Sequence, residues 1–245
     1  MGRRPSLAIL IIVAGAFFLI GLYTAFMQGS SGESNGTSPP PASTPASTEP
    51  ARRQVTLLLL GVDDLGTEQP NLQAIWFLSY RPPVKDSFLL GVPLDLEVDG
   101  DPPAQLRDLF GLASNGQPTD QFQQRLYQAV PLDVDGTIVL DRTGFAAAID
   151  FVGGVTIDQA TFTGQDVLGI LSLTQDDPDA TLSLEKRLLT AMSQQAASIG
   201  SAPEITPLVD LIPAHLFISG DITDMVALVA PILPIEPSTT HIELY

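Results

Sequence analysis

Three aspartates follow apolar segments of the chain and are the residues best suited to hold a cation. Asp63 and Asp64 come directly after the apolar run that begins at Val55, and Asp95 follows a later apolar run that ends at Pro93 and Leu94. Carboxylates placed after two strands would meet at one edge of a sheet, where ligands of open α/β sheets bind. Carboxylate oxygen atoms are the usual ligands of hard divalent cations. The alternative interpretation is a polar loop after a buried strand.

Two further sets of polar residues give weaker indications. The acidic cluster between Asp176 and Asp179 surrounds a proline, a pattern more typical of a solvated turn than of a weak cation site. His215 and His241 lie far apart in sequence, and neither accompanies a nucleophile motif such as Gly-x-Ser-x-Gly. The sequence therefore gives no indication of a serine hydrolase.

Three apolar segments between Val55 and Leu96 form the centre of the predicted fold. The run Val55–Leu60 is short, unbroken and closed by a glycine, as in a strand that is buried on both faces of a sheet. Residues 73–80 and 86–93 are β-like as well, and the connection between them is too short for a helical crossover. We expect these two strands to pair antiparallel. Trp76 and Phe77 are predicted to lie in the core, although pocket-lining aromatic residues have the same pattern.

Downstream segments alternate between strands and helices. Strands are predicted at 136–140, 155–157 and 241–245. Helical patterns cover residues 101–114; 118–130, with Asp120 as the cap; 141–152, ended by Gly153-Gly154; the segment after the Thr163/Asp166 capping box; a helix from about Ser183; and a last helix from Asp221 to Ile232. This order predicts an α/β or α+β sandwich with a central mixed sheet flanked by helices.

Charge and composition exclude several functions. The chain has 245 residues with 28 acidic and 11 basic side chains, and no cysteine. Only Glu33 and Glu49 among the acidic residues, but four of the arginines, precede Gln54, so the remainder carries a formal charge of −19. Such a surface repels nucleic acid, and no nucleic-acid partner is expected. The missing thiols exclude disulfides and cysteine-ligated zinc.

The N-terminal part of the chain is predicted to anchor a domain on the outer side of a membrane. Residues 7–27 are apolar and uncharged over a length that spans a bilayer, and Arg3 and Arg4 precede them. Residues 1–6 are therefore expected in the cytoplasm, residues 28–53 form a Ser/Pro/Gly/Thr-rich disordered linker, and residues 54–245 form an extracytoplasmic domain. A cleaved signal peptide is less favoured, because the apolar run is long and no small-x-small site closes it.

Several segments resemble the LytR-CpsA-Psr family, also called the cell-envelope-related transcriptional attenuator domain. They are LLLLGVDD, VPLDL and above all VPLDVDGTIVLDRTGFAAAIDFVGGVTID, and the resemblance extends over roughly residues 56–195. The family's domain binds a polyprenyl-pyrophosphate-linked glycopolymer and transfers the glycan phosphate to peptidoglycan with Mg²⁺. The resemblance therefore implies a cell-envelope protein of that fold, with Asp63 and Asp95 at the family's aspartate positions as candidate metal ligands.

The chain departs from the family pattern where the family has arginines. Asn71-Leu72-Gln73-Ala74 replaces Arg-Ser-Asp-Thr, Leu94 replaces the arginine of Pro-Arg-Asp, and Ser172 and Thr174 replace an Arg-x-Arg pair. Arginines of this kind grip pyrophosphate oxygens through paired, charge-assisted hydrogen bonds. The candidate substitutes are Arg107, Arg125, Lys186 and Arg187.

The size of the expected rate loss favours a chain that no longer catalyses the family's reaction. Removing one preorganised donor to a transition-state anion lowers the rate about 10²- to 10³-fold. We therefore expect a catalytically impaired paralogue that binds a polyprenyl (pyro)phosphate-type lipid or an envelope-assembly partner. Two alternatives stay open at this point: an active Mg²⁺-dependent glycopolymer phosphotransferase that uses the substitute residues, and a structural remnant without a ligand.

Overall fold

A computed structural model describes residues 53–82, 86–100, 102–151, 153–174, 187–188, 191, 211, 214–229 and 240–245 of the chain. The strands within this part are β1 (Val55–Val62), β2 (Leu72–Tyr80), β3 (Ser87–Gly91), β4 (Glu97–Val98), β5 (Ala104–Gln105), β6 (Gly136–Leu140), β7 (Val155–Ile157), β8 (Ala160–Phe162), β9 (Leu216–Ile218) and β10 (Thr240–Leu244).

Five helices lie within the same described ranges. They are α1 (Leu106–Leu109), α2 (Asp120–Ala129), α3 (Arg142–Phe151), α4 (Gly164–Thr174) and α5 (Ile222–Val229). Among the residues described, none of the helices has the length and apolar character needed to cross a bilayer. The predicted membrane-spanning segment, residues 7–27, and nearly all of the predicted linker lie outside the described residues.

A six-stranded mixed sheet forms the centre of the fold. Its strand order is β10-β3-β2-β1-β6-β9. β1 pairs with β2 antiparallel and with β6 parallel, while β3 pairs with β2 antiparallel and with β10 parallel. The strands β1, β3, β6 and β10 therefore share one direction, and their carboxyl ends meet at one edge, which we call the carboxyl edge.

Both faces of the sheet are covered. On one face Leu58 pairs across the strands with Phe77, and these side chains join a buried cluster that includes Phe122 and Leu126 of α2. On the other face α3 and α5 approach closely, since a Cβ atom at Gly144 would touch the Leu140 side chain and one at Gly136 would touch Met225. Burial on both faces explains why β1 is apolar throughout, with nearly every side chain buried.

The predicted fold class and most strands are confirmed, but the helix predicted over residues 101–114 is wrong. Only Leu106–Leu109 is helical there, and β4 and β5 form a small antiparallel hairpin just before it. Pro102 and Pro103 lie in the connection between these two strands. Proline lacks an N–H group and restricts the residue before it, so it favours this turn over a continuous helix.

The helix ends follow the predicted signals with one exception. Thr163 and Asp166 form the predicted capping box, and Gly153 and Gly154 end α3 with φ values of 84° and 87°. Asp120 is the first residue of α2 and not its cap, because Thr119 occupies the N-cap position. The predicted helix from Ser183 falls mostly outside the described residues.

Candidate functional site

The polar residues with the strongest potential for chemistry lie at the carboxyl edge. Asp63 follows β1, Asp141 and Arg142 follow β6, and Gln73 lies at the start of the antiparallel β2. His215 immediately precedes β9, whose antiparallel direction brings its first residue to the same edge. The sheet topology thus gathers side chains that are separated by up to 152 residues in sequence, from Asp63 to His215.

The carboxylate of Asp63 accepts three hydrogen bonds from its own loop. Its Oδ1 atom accepts hydrogen bonds from the backbone N–H groups of Asp64 at 2.8 Å and Asn71 at 2.7 Å. Its Oδ2 atom accepts the side-chain amide of Asn71 at 2.6 Å. Three donors on one half-buried carboxylate are what a loop-stabilising aspartate shows, and they leave less lone-pair capacity for a metal ion.

Asp95 lies after β3 at the same edge, beyond the intervening strand β2. Within the described residues no hydrogen bond or ion pair connects it to Asp63. Leu94 packs against the buried apolar cluster, and its carbonyl oxygen accepts the backbone N–H of Arg107 at 3.0 Å. Arg107 is half-buried and donates from Nε to Gln105 at 3.0 Å. A guanidinium-bearing residue therefore lies next to the position at which the resemblance expects an arginine.

Gln73 and Arg142 make a second contact between neighbouring strand ends. The Arg142 Nη2 atom lies 3.5 Å from Gln73 Oε1, and Gln73 Nε2 lies 3.5 Å from the carbonyl oxygen of Asn71. Both distances are at the long limit of a hydrogen bond. Arg142 is exposed, so this guanidinium remains accessible to a ligand at the edge.

Asp141 and His215 form the most deeply embedded polar pair at this edge. Asp141 is 1% exposed, and its Oδ1 atom accepts the N–H of Gly144 at 2.8 Å, which caps α3. Its Oδ2 atom accepts the N–H of Leu65 at 3.3 Å and lies 2.8 Å from His215 Nδ1. The carboxylate thus holds the helix start, the loop after β1 and the imidazole together.

The other three basic residues that were candidates for anion binding lie away from the carboxyl edge or outside the described residues. Arg125 donates to the carbonyl oxygen of Asp99 near the β4–β5 hairpin. Arg187 forms an exposed ion pair with Asp158, in the turn between β7 and β8. Lys186 is outside the described residues. Within the described ranges, no group of three or more Asp, Glu or His side chains is arranged to hold a metal ion.

A groove of about 520 Å³ lies away from the carboxyl edge. Its lining comes from β3 and β10, from the residues at the opposite ends of β1 and β2 and from Leu132, namely Gln54, Ser79, Tyr80, Arg81, Asp86, Phe88, Leu89, Leu90, Leu132 and Glu243. Burial, together with the negative charge of Asp135, raises the pKa of the Tyr80 phenol. Phe88 is 49% exposed and stacks on His241.

Sequence reasoning missed Arg142 and did not assign a role to His215. Arg142 follows an apolar run, as Asp63 does, and that position after a strand was the available signal. His215 had no such signal, because its proximity to Asp141 depends on β9 pairing with β6 at a separation of 74 residues. A three-residue strand is too short to be recognised from periodicity.

Comparison with sequences finds a distant relative. No family model matches the chain. The chain is 24% identical over 182 residues to the polyisoprenyl-teichoic acid–peptidoglycan teichoic acid transferase TagU of Oceanobacillus iheyensis. The aligned region covers 64% of this chain and 56% of that protein. The chain thus spans a little over half the length of this curated relative.

Comparison with solved structures finds the same fold. TagT bound to LIIa-WTA has a TM-score of 0.59 at 16% identity, over 81% of this chain and 80% of that one. TagV of Bacillus subtilis has a TM-score of 0.58 at 17% identity, over 79% of this chain and 84% of that one. The transcriptional regulator YvhJ of Bacillus subtilis has a TM-score of 0.58 at 15% identity, over 79% of this chain and 82% of that one.

These likenesses show the fold of the chain. The mixed sheet flanked by helices is the fold of the LytR-CpsA-Psr proteins. The resemblance to the LytR-CpsA-Psr family that the sequence motifs indicated is confirmed.

Proposed function

We propose that this chain is a membrane-anchored cell-envelope protein that binds a polyprenyl-linked, glycopolymer-type ligand and has largely lost the Mg²⁺-dependent transfer of that ligand. The anchor would be the apolar segment at residues 7–27, which places the folded domain outside the cytoplasm. The ligand class is supported by the fold shared with TagT bound to LIIa-WTA and by the distant relationship to the transferase TagU.

The observation that carries the loss of transfer is the state of the Asp63 carboxylate. Both of its oxygens accept N–H groups from Asp64 and Asn71 within its own loop. A Mg²⁺ ion requires near-ideal octahedral geometry and binds through carboxylates and water. To bind the ion, Asp63 would have only its remaining lone-pair capacity, without a second carboxylate at Gln73 to assist.

The electrostatics around Leu94 support the same conclusion. Leu94 packs into the apolar cluster where an anion would need a donor. The domain carries a formal charge of −19, so a pyrophosphate group approaches against a repulsive field. The loss of several donors that stabilise a developing anion reduces rates by orders of magnitude even when their effects are not additive.

A second candidate function is an active phosphotransferase, and one observation favours it. Arg142 beside Gln73 and Arg107 beside Leu94 put two guanidinium-bearing residues close to the positions that lost family residues. If both side chains turned toward one ligand, they would supply part of the missing anion-binding capacity.

Binding and turnover can be separated in one preparation. The full-length chain, purified in detergent, is examined by native mass spectrometry for bound polyprenyl lipid and assayed with Mg²⁺ for cleavage of polyprenyl pyrophosphate. We expect bound lipid and no turnover above that of Asp95→Asn. Turnover that Asp95→Asn abolishes would establish the active enzyme, and failure to retain or bind added polyprenyl pyrophosphate would contradict ligand binding.

Restoring the family residues provides the complementary test. The triple variant Asn71→Arg, Gln73→Asp, Leu94→Arg supplies two donors and one carboxylate and removes the side-chain amide that engages Asp63. We expect Mg²⁺-dependent turnover to rise by at least about 10²-fold, the effect of one preorganised donor. A matched variant with Gln instead of Arg at residues 71 and 94 should stay inactive, because it lacks the positive charges.

A further inference from the structure

The pair of Asp141 and His215 is not used by the proposed function and has its own geometry. The two residues are fixed to each other at the backbone, since the Asp141 N–H donates to the His215 carbonyl oxygen at 3.2 Å. The His215 N–H in turn donates to the carbonyl of Leu211 at 2.8 Å. Gly144 allows this approach, because a Cβ atom there would lie 2.6 Å from the His215 carbonyl oxygen.

The hydrogen-bond donors around Asp141 fix the orientation of the imidazole. A carboxylate that is 1% exposed needs hydrogen-bond donors, and Asp141 has the N–H groups of Gly144 and Leu65 in addition to His215 Nδ1. Because an ionised carboxylate only accepts hydrogen bonds, the shared proton belongs to Nδ1. The neutral imidazole then has its lone pair on Nε2.

Within the described part of the chain, the second ring nitrogen of His215 has no partner and could contact a ligand. Among the described residues no hydrogen bond involves His215 Nε2, and the His215 side chain is 35% exposed. A buried carboxylate that orients a partly exposed imidazole is the arrangement that general-base catalysis requires. Its place at the carboxyl edge is also where ligands of sheets with parallel strands bind.

The charges around His215 indicate whether its imidazole binds an anionic ligand or accepts a proton from a neutral one. Asp141 is in contact with it, and Asp63 and Asp64 lie in the loop whose residue Leu65 also bonds to Asp141. Arg142 is the basic residue beside them. The surroundings are therefore acidic, which favours a neutral ligand over an anionic one at this imidazole.

We propose that Asp141 and His215 form a general-base dyad that activates a neutral hydroxyl group, either water or an alcohol such as a sugar hydroxyl. His215 is the catalytic residue and Asp141 is a positioning residue. As the hydroxyl oxygen bonds to the electrophilic atom of an ester, its O–H bond breaks and the proton moves to Nε2. The ester bond breaks with its electron pair on the leaving group, which takes the proton back from the imidazolium. Asp141 keeps its contact with Nδ1 throughout.

The first test uses p-nitrophenyl acetate as the ester and water as the hydroxyl, with full-length protein in detergent and without Mg²⁺ or lipid. The chain has two histidines, so His241→Gln is a matched control for His215→Gln. We expect His215→Gln to lower the rate about 10²-fold, the lower range for a positioned base, while His241→Gln leaves it unchanged. Equal effects of the two variants, or none, would overturn the proposal.

A methanol arm separates the two hydroxyl sources. If the dyad activates alcohols, methyl acetate forms in a His215-dependent manner when methanol is added. If acetate alone forms, water is the hydroxyl that the site accepts. Because this assay contains neither metal nor lipid-linked ligand, its outcome is independent of the test of the proposed function.

The role of Asp141 is tested by a measurement that would not change if this residue only stabilised the fold. We expect Asp141→Asn to lower kcat with little change in KM, because the imidazole loses its fixed tautomer while the ester site remains. Should this variant fail to fold, the ¹⁵N spectrum of the wild-type imidazoles decides. An Nδ1–H tautomer at His215 supports the dyad, and an Nε2–H tautomer overturns it.

Discussion

At the scale of single residues, Asp63 and Asn71 act as one hydrogen-bonded unit. The backbone and the side chain of Asn71 both donate to the same carboxylate, at 2.7 and 2.6 Å. Hydrogen bonds to a charged acceptor are shorter and stronger than those between neutral groups. The unit closes the loop between β1 and β2, which determines where Leu65 lies and therefore how Asp141 is bonded.

The first prediction concerns this unit. Asn71→Ala removes the side-chain donor but keeps the backbone one, so we expect the free energy of unfolding to fall by about 1 kcal/mol, as for an exposed hydrogen bond to a charged acceptor. Urea unfolding followed by circular dichroism measures the change. Gln69→Ala, an exposed position in the same loop, should change the stability by less. Similar effects of both variants would show that the side-chain bond is unimportant.

The sequence predicted the identity of the polar residues at the carboxyl edge better than their roles. Asp63 was recognised because it follows an apolar run, but its hydrogen bonds to Asn71 depend on the loop conformation. The substitutions at Gln73 and Leu94 were visible from the motif alone. The contact between Asp141 and His215 was not, because it requires the order of the strands, which one sequence does not reveal.

At the scale of secondary structure, the start of α4 is stabilised by a pH-sensitive cap. The Thr163 hydroxyl and backbone N–H both donate to Asp166 Oδ2, at 2.7 and 2.9 Å. These hydrogen bonds, the hydroxyl first, hold the pKa of Asp166 below its usual value. The charged form is thus favoured in the folded state, and a negative charge in the first turn of a helix is favourable as well.

The second prediction follows from the sign of that shift. A carboxyl with a lowered pKa stabilises the folded state above its unfolded pKa, and this contribution disappears as the pH falls through the folded pKa. We expect Asp166→Asn to lower Tm at pH 6 and to differ less from the wild type as the pH approaches 3. Comparing the two proteins at each pH cancels the other carboxylates. A difference that stays constant with pH would contradict the assignment.

The third prediction uses two glycines of α4 in different surroundings. A Cβ atom at Gly164 would overlap the backbone carbonyl of Ala146 in α3, whereas at Gly169 nothing lies within 4 Å. We expect Gly164→Ala to destabilise the fold by about 1–3 kcal/mol through overpacking. Gly169→Ala should stabilise it by up to about 1 kcal/mol, because alanine favours the helix. Chemical denaturation of both variants measures the pair, and effects of equal sign would show that α3 and α4 do not pack this closely.

Elements with a strong local signal were predicted well. The helix after Asp141 combines apolar periodicity with a double glycine end, and α3 occupies residues 142–151. The region from 101 to 114 has apolar residues at helical spacing, but tertiary pairing of Val98 with Ala104 prevails there. Short strands such as β8 and β9 carry too few residues for a period to appear.

At the scale of the whole molecule, the excess of negative charge is the dominant long-range effect. The formal charge of −17 for the chain arises mainly from its folded part. Like charges on a compact surface repel each other and destabilise the folded state. The exposed ion pair between Arg187 and Asp158 offsets little of this, since such pairs contribute at most about 1 kcal/mol.

The fourth prediction is that salt stabilises the protein. Raising NaCl from about 10 to about 150 mM shortens the screening length from about 30 to about 8 Å, which weakens repulsion between surface carboxylates. We expect Tm to rise by a few degrees, measured by differential scanning fluorimetry. Sucrose at equal osmolality controls for solvent effects unrelated to charge. A Tm that falls with salt would mean that favourable ion pairs outweigh the repulsion.

The parallel pairing of β10 with β3 joins segments that are far apart in the chain. Thr240 lies opposite Ser87, and Leu244 opposite Gly91. During synthesis, the edge of β3 that pairs with β10 therefore stays unpaired until more than 150 further residues have been made. Late, long-range strand pairing is slow, and an open strand rim promotes self-association. We infer that nascent chains stay prone to aggregate until β10 has paired with β3.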